Sequence, residues 1–509
     1  MAPGVALIED TKSRSDCCQR FREGRLEIDE HYHGLSHCVE RFIVRKRNTE
    51  SERLRVPPPM IKRRVPSGRG AMEQPNVTHD GAARLTPQFW LAVALVGVAT
   101  GFFGDLLMWL LVEVEHAGFH YHAGYFQNAV AAVSSSRRIV VLMIGSAIGA
   151  VSWYLIRLYL KHESSDIDDA VWNGDGELSL RRSLLTSIVS EVVIGLGASI
   201  GREAAPKLMG GASGSVVSHW FNLSPEQKRL LVACGGGAGL ACVYNVPLGG
   251  AIFTAEVLYG SFALPVVIPA LATSLIATMV AWLYLPSGAT YADIPSYRFS
   301  GSLMVWALLA GVVIGLLAVF YVRLIGWASH YRAKGPHILW IMPVAFAILG
   351  VIGIWYPQLF GNGKDMAHEA FLGVGGAGLL FALFALKPFV TAMMLGSGAA
   401  GGVFTPFLAT GALFGAFFGA LWIHLWPGTP VGAFALVGAA AMIGASMQAP
   451  LAGLVLVLEF THSGFSLAIP MMAATAIATL LVRQIDGYSI YSARLPRRDD
   501  LARASPEGT

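Results

Sequence analysis

Gly195-Leu-Gly-Ala-Ser-Ile-Gly-Arg-Glu-Ala-Ala-Pro206 decides the fold when it is read beside Gly396-Ser-Gly-Ala-Ala-Gly-Gly-Val-Phe-Thr-Pro406. Each is a glycine-rich break between two apolar runs. Each ends on a proline, which the first turn of a new helix tolerates because its missing N–H would have no partner there. Pro206 and Pro406 stand 200 residues apart, and Gly211-Ala212 and Gly411-Ala412 keep that spacing. Pro247-Leu248 and Glu256 pair with Pro450-Leu451 and Glu459 at a spacing of 203, and Ile268-Pro269 pairs with Ile469-Pro470 at 201. Collinear matches separated by small loop changes indicate two structural halves.

The chain around these breaks is membrane sequence. Of 509 residues, 54% are hydrophobic and only 14% charged, against about 25% charged in an ordinary soluble domain. Mean hydropathy is +0.54. Apolar stretches run from Phe89 to beyond Leu481, several of them interrupted by Gly or Pro, and the run of about thirty residues Val431–Phe460 is long enough for a broken or tilted pair. A span needs about 20 apolar residues, so the expectation is an all-α polytopic membrane protein with broken helices. The 57 glycines show no three-residue period and suit close helix packing in lipid.

The net charge of +4 gathers at the ends, in Met60-Ile-Lys-Arg-Arg64 and Arg494-Leu-Pro-Arg-Arg498. Basic flanks that follow the positive-inside bias explain this better than nucleic-acid binding. Both termini are then cytoplasmic and the number of complete crossings is even; an odd number in each half makes the repeat inverted. Residues 1–71 form a basic extension without an apolar period, expected to be disordered, and 72–88 a polar lead-in. A transmembrane domain follows over 89–495, with repeats of about 89–300 and 301–495, then a cytoplasmic tail, 496–509. Met72 opens a cleaner sequence and is a candidate start. His31, His33, His37 and Cys38 fit no strong zinc spacing, and the five cysteines suggest no disulfide framework. Neither a metal nor a cofactor is expected.

Helix starts carry unpaired N–H groups and a partial positive charge, which favour an anion. Non-helical backbone survives at membrane depth only where it is buried or lines a watery path. Two such starts aimed at one place would bind an anion without a formal charge, weakly enough to release it. In the second break the exposed amides are those of Val403 and Phe404. In the first, Glu203 can occupy the anion's place while ionised and leave it when protonated, which is the physics of a gate. Its plainer alternatives are to cap its own helix or to pair with Arg202.

The Gly-Arg-Glu run at Glu203, Gly401-Gly-Val-Phe-Thr-Pro406, Asn245-Val-Pro-Leu248, Pro450-Leu-Ala-Gly-Leu-Val-Leu-Val-Leu-Glu459 and Tyr491 in Tyr488-Ser-Ile-Tyr-Ser-Ala resemble the CLC family of chloride channels and chloride/proton antiporters. The resemblance covers about Phe89 to Leu495. It implies a homodimer of inverted-repeat subunits in the cell membrane, each with its own anion path. Glu203 would be the gating glutamate, and the amides of Val403 and Phe404 with the Tyr491 hydroxyl would coordinate chloride as the substrate ion. Without the resemblance, Tyr491 reads as an interfacial aromatic. The short tail after Leu495 leaves no room for the paired C-terminal CBS domains of many eukaryotic members and implies the prokaryotic type.

Three departures bear on function. Glu203 is followed by Ala204-Ala205-Pro206 where the family often has Gly-Pro. The family's Gly-Ser-Gly-Ile-Pro motif is replaced by Lys161-His-Glu-Ser-Ser-Asp-Ile-Asp-Asp-Ala170, so Ser164 or Ser165 supplies the hydroxyl that touches the anion, or neither does, and selectivity among chloride, nitrate and fluoride stays open. The fluoride-exporting branch usually lacks the tyrosine, so Tyr491 argues against it. Many proton-coupled members carry an inner glutamate one residue after the position of Glu256, where this chain has Val257; weak or absent proton coupling is expected. On an α-helix the one-residue step of about 100° turns Glu256 away from the route Val257 faces.

Asp105, Glu191, Glu256 and Glu459 are costly in lipid and should face protein or water. The equivalent repeat positions of Glu256 and Glu459 favour a capping or hydrogen-bond role. Lys387, before Pro388, is expected near a helix end, where it would raise the potential on the anion route. An intramembrane enzyme is the reading from another class; it would need a Ser/His dyad, an Asp pair or a His-Glu-x-x-His helix, and the spans carry none at usable spacing. The partners expected are a small anion, protons in an antiporter, the lipid bilayer and a second copy, with no nucleic acid.

Overall fold

The computed structural model describes residues 85–161, 164 and 166–495. The basic extension 1–71, most of the lead-in, the cysteines and histidines before Met72, Ser165 and the tail 496–509 lie outside the described residues. The first half contains α1 (Pro87–Phe119), α2 (Phe126–Ala132), α3 (Ser135–Tyr159), α4 (Ile167–Trp172), α5 (Leu180–Gly195), α6 (Ala204–Trp220), α7 (Pro225–Tyr244), α8 (Pro247–Phe253) and α9 (Leu264–Ala281). The second contains α10 (Gly301–His330), α11 (Ile338–Trp355), α12 (Lys364–Leu372), α13 (Ala377–Gly396), α14 (Phe404–Trp422), α15 (Val431–Met447), α16 (Pro450–Thr461) and α17 (Ala468–Ile485). Eight of the helices, counting α11 and α17 with the short turns that lead into them, are long and apolar enough to cross a membrane.

The order repeats one for one: α1 with α10, α3 with α11, and so on to α9 with α17, α2 being the one extra helix among the described residues. The local chemistry repeats as well. The apolar runs across 230–258 and 431–460 both break where a residue turns left-handed to end a helix, Asn245 at φ 54° and Gln448 at φ 59°, and a proline then starts the next helix. α6 packs on α7 and α14 on α15 through facing glycines, which let the backbones approach closely. A Cβ on Gly210 or Gly235 would strike the other's carbonyl, and Gly411 and Gly438 stand in the same relation.

Equivalent elements meet in antiparallel fashion, so the repeat is inverted. Gly201 and Gly402 exchange both backbone hydrogen bonds, each 2.7 Å, in an antiparallel bridge. Glu459 accepts from the amides of Leu248 (3.1 Å) and Gly249 (2.5 Å) at the start of α8. Glu256, at the other end of the α8 segment, accepts from Leu451 (3.3 Å) and Ala452 (2.6 Å) at the start of α16. Each carboxylate caps the other half's helix, as the equivalent sequence positions suggested.

Two expectations need correction. Lys387 is not near a helix end: α13 runs on through Pro388, and Lys387 sits in its interior, fully buried. Its ammonium donates to Ser199 Oγ (2.8 Å) and the Gly361 carbonyl (3.1 Å), fastening the first glycine-rich break to the loop before α12. Glu256 and Val257 do not lie on an α-helix either. α8 widens into a π turn over Thr254–Tyr259, so the step between them is smaller than the α-helical one.

Candidate functional site

α5 ends at Gly195 and α13 at Gly396, and each is followed by a turn containing a left-handed glycine, Gly197 at φ 103° and Gly398 at φ 99°. The chain then reverses into α6 and α14, whose N-caps are Glu203 and Val403. Pro206 and Pro406 are both the third residue of their helices, so neither removes a hydrogen bond. The Gly201–Gly402 bridge fixes the two helix starts beside each other.

Glu203 does not cap its own helix; its side chain reaches across the pseudo-twofold to the start of α14. Oε1 accepts from the Phe404 amide at 2.8 Å, and Oε2 accepts from the Thr405 hydroxyl at 3.0 Å. The Tyr244 hydroxyl stands 2.6 Å from Thr405 Oγ1 and 3.5 Å from Glu203 Oε2. The glycines of the bridge make the room: a Cβ on Gly201 or Gly402 would fall on the Glu203 carboxyl group. The Arg202 guanidinium lies 5.3 Å from the centre of the Tyr244 ring.

Glu203, Val403, Phe404 and Tyr491 line one cavity of about 360 Å³. Glu203, Val403 and Phe404 are buried at its floor, while the exposed Ser164, Asp166 and Arg332 stand at its rim. Tyr491 is buried in the wall rather than exposed as an interfacial aromatic, and its hydroxyl donates to Met447 Sδ at 3.8 Å. The carbonyl of Ser164 accepts from the Ser179 amide at 3.0 Å. Val257 is buried in the π turn and is not among the described residues lining the cavity.

Three polar residues escaped the sequence reading. Thr405 and Tyr244 complete the carboxylate's surroundings from positions that carry no signal of their own, one on each half. Lys207 lines the cavity one helical turn after Glu203; a lysine in an apolar helix was the visible signal. Glu191 on α5 is fully buried, with neither carboxylate oxygen hydrogen-bonded among the described residues, and the charged groups acting on it are Arg202, Glu203 and Glu115. No cluster of His, Cys, Asp and Glu among the described residues is placed to hold a metal ion.

The sequence profile of a family described as "Voltage gated chloride channel" matches residues 148–483. A protein of Ralstonia nicotianae, named for its likeness to the chloride channel ClcB, is 32% identical over 404 residues, covering 75% of this chain and 92% of that protein. The H(+)/Cl(−) exchange transporter ClcA of Yersinia pestis is 31% identical over 325 residues, covering 61% of this chain and 68% of ClcA. Among solved structures, a slow cyanobacterial Cl−/H+ antiporter superposes with a TM-score of 0.71 at 22% identity, over 80% of this chain and 97% of the other. A CLC-type fluoride/proton antiporter superposes at 0.66 with 20% identity, over the same shares.

Proposed function

Since the chain belongs to the voltage-gated chloride channel family, we propose that it carries chloride or a similar small anion across the cell membrane, with Glu203 as the gate. One observation carries this reading: the Glu203 carboxylate rests on the Phe404 amide and the Thr405 hydroxyl. That is the place at a helix start where a mobile anion would sit. An ionised Glu203 competes with the anion for these donors. Protonation removes its charge and weakens both bonds, since hydrogen bonds to charged acceptors are about twice as strong as neutral ones. The side chain then swings out and the anion takes its place, held by the amides of Val403 and Phe404 and approached from the cavity past the Tyr491 hydroxyl. Ser164 or Ser165 adds a further hydroxyl for the anion.

Proton coupling is weak or absent in this reading. Val257 has no exchangeable proton, and the neighbouring Glu256 is engaged by the Leu451 and Ala452 amides. The protein works as a homodimer with one path per subunit. The α8 and α16 starts expose Leu248 and Leu451, an apolar edge that a second copy would cover. Both termini are cytoplasmic.

The test is flux from sealed vesicles containing the purified protein, followed with chloride and pH electrodes. Chloride efflux with little or no proton movement is the expected result. Efflux tied to protons at a fixed ratio would overturn the weak-coupling reading, and no anion flux at all would overturn the transport reading.

A further inference from the structure

Among the described residues, five cationic side chains line the cavity: Arg157, Arg182, Lys207, Arg332 and Arg494. Two of them are committed to the backbone. Arg157 donates to the carbonyls of Gly398 (2.6 Å) and Ala333 (3.4 Å), and Arg182 to that of Leu160 (2.9 Å). Arg332 stands at the rim, and Arg494 lines the wall near the end of the described chain. Lys207 differs from all four. Its ammonium contacts the Asp168 carboxylate at 3.3 and 3.5 Å and lies over two aromatic faces, 4.4 Å from the Tyr491 ring centre and 5.8 Å from that of Phe253. Both members of the pair are largely shielded, 15% and 14% exposed. Glu203 and Lys207 are four residues apart, so they share one face of α6, with Lys207 on the cavity side of the gate.

The wall opposite is already filled. α4 begins with Asp166, whose carboxylate accepts from the amides of Asp168 (3.1 Å) and Asp169 (3.2 Å). Those two amides are therefore engaged and face no anion. Beside the Tyr491 ring stands the Lys207 ammonium, paired with Asp168.

Building on the transport reading above, we propose that Lys207 is a second anion-binding group, between the rim and Glu203, and that Asp168 is its displaceable counterion. An anion arriving beside Tyr491 takes the place of the Asp168 carboxylate on the ammonium before it passes to the Phe404 amide. The exchange keeps Lys207 neutralised, and the displaced Asp168 carboxylate stays in the field of Arg494, so neither shielded charge is left without an opposite one. The path then has two carboxylates that yield to the anion in turn, Asp168 at a side chain and Glu203 at a helix start. Lysine suits the task because its ammonium is a compact charge on a flexible stem, able to follow the ion over a short distance.

The experiment is chloride titration by calorimetry, with vesicle flux in parallel, on wild type, Asp168→Asn, Lys207→Met, Lys207→Arg and the double variant Asp168→Asn/Lys207→Met. Unmasking Lys207 in Asp168→Asn should tighten chloride binding by roughly tenfold, and removing it in Lys207→Met should loosen binding by at least that, in keeping with the cost of truncating one side of a shielded charge pair. Lys207→Arg, which keeps the charge but not the compact ammonium, should fall between wild type and Lys207→Met. The double variant should follow Lys207→Met. A pair that merely holds α4 to α6 predicts losses of the same sign in both single variants; that result, or no change in either, would overturn the proposal. If Lys207→Met does not fold, Asp168→Asn decides alone, and binding that is unchanged or weaker refutes it. Wild type that binds and moves chloride with an affinity that none of these variants changes refutes this proposal only; wild type that neither binds nor moves chloride refutes the transport reading too.

Discussion

The break between α5 and α6 and the break between α13 and α14 are one backbone device used twice, and they differ in who gives and who receives. Both carry a left-handed glycine, both place a proline third in the new helix, and they bond to each other through Gly201 and Gly402. At the N-cap the first has Glu203 and the second Val403. The first half therefore supplies a titratable side chain, and the second supplies the bare helix start that holds it. The cradle is symmetric and one side chain breaks the symmetry; in the proposed reading that side chain gives it two states.

The largest expected effect comes from erasing that difference. In Glu203→Gln the competing charge is gone. A hydrogen bond to a charged group contributes about 1.5–3 kcal/mol, so chloride binding should tighten at least roughly tenfold and the pH dependence of flux should vanish. Calorimetry and flux at several pH values check both, and a variant that keeps the pH dependence of wild type removes Glu203 from the gate.

The symmetric parts make a different demand, which is equality. Gly210→Ala and Gly411→Ala place a methyl group against the backbone of the facing helix. Each should cost about 1–3 kcal/mol through overpacking, by the same amount within error, as read from thermal unfolding in detergent. A large disparity would mean that the two helix pairs carry unequal shares of the stability. Glu256→Gln and Glu459→Gln should likewise match, at about 0.5–2 kcal/mol each for a weakened helix cap. The smallest effect is expected at Tyr491→Phe, which deletes one neutral donor worth about 0.5–1.5 kcal/mol and should weaken chloride affinity severalfold with the fold intact.

The repeat was legible because it is written in residues with backbone consequences: glycines that permit a break, prolines that start a helix, and acids that cap one. These recur at spacings of 200 to 203 residues. The inversion was less direct, because a spacing carries no direction; it became visible in which amides Glu256 and Glu459 accept from. At the site, Glu203 and Phe404 could be named because each belongs to a break. Thr405 and Tyr244 could not, since their roles depend on which side chains the two halves bring together, and nothing local marks either one. The interior position of Lys387 was obscured by Pro388, which suggests a helix boundary while α13 runs through it. The π turn at Thr254–Tyr259 has no composition of its own, so the angle between Glu256 and Val257 was drawn from the wrong helix.

The central claim is that the Glu203 carboxylate occupies the place of the transported anion on α14. Crystals of wild type and of Glu203→Gln grown in bromide would test it by anomalous scattering. The account predicts a bromide peak within hydrogen-bond distance of the Phe404 amide in Glu203→Gln, where the carboxylate oxygen sits in wild type, and a weaker peak or none there in wild type at neutral pH. Bromide bound elsewhere in the variant, with the Phe404 amide still held by residue 203, would contradict it.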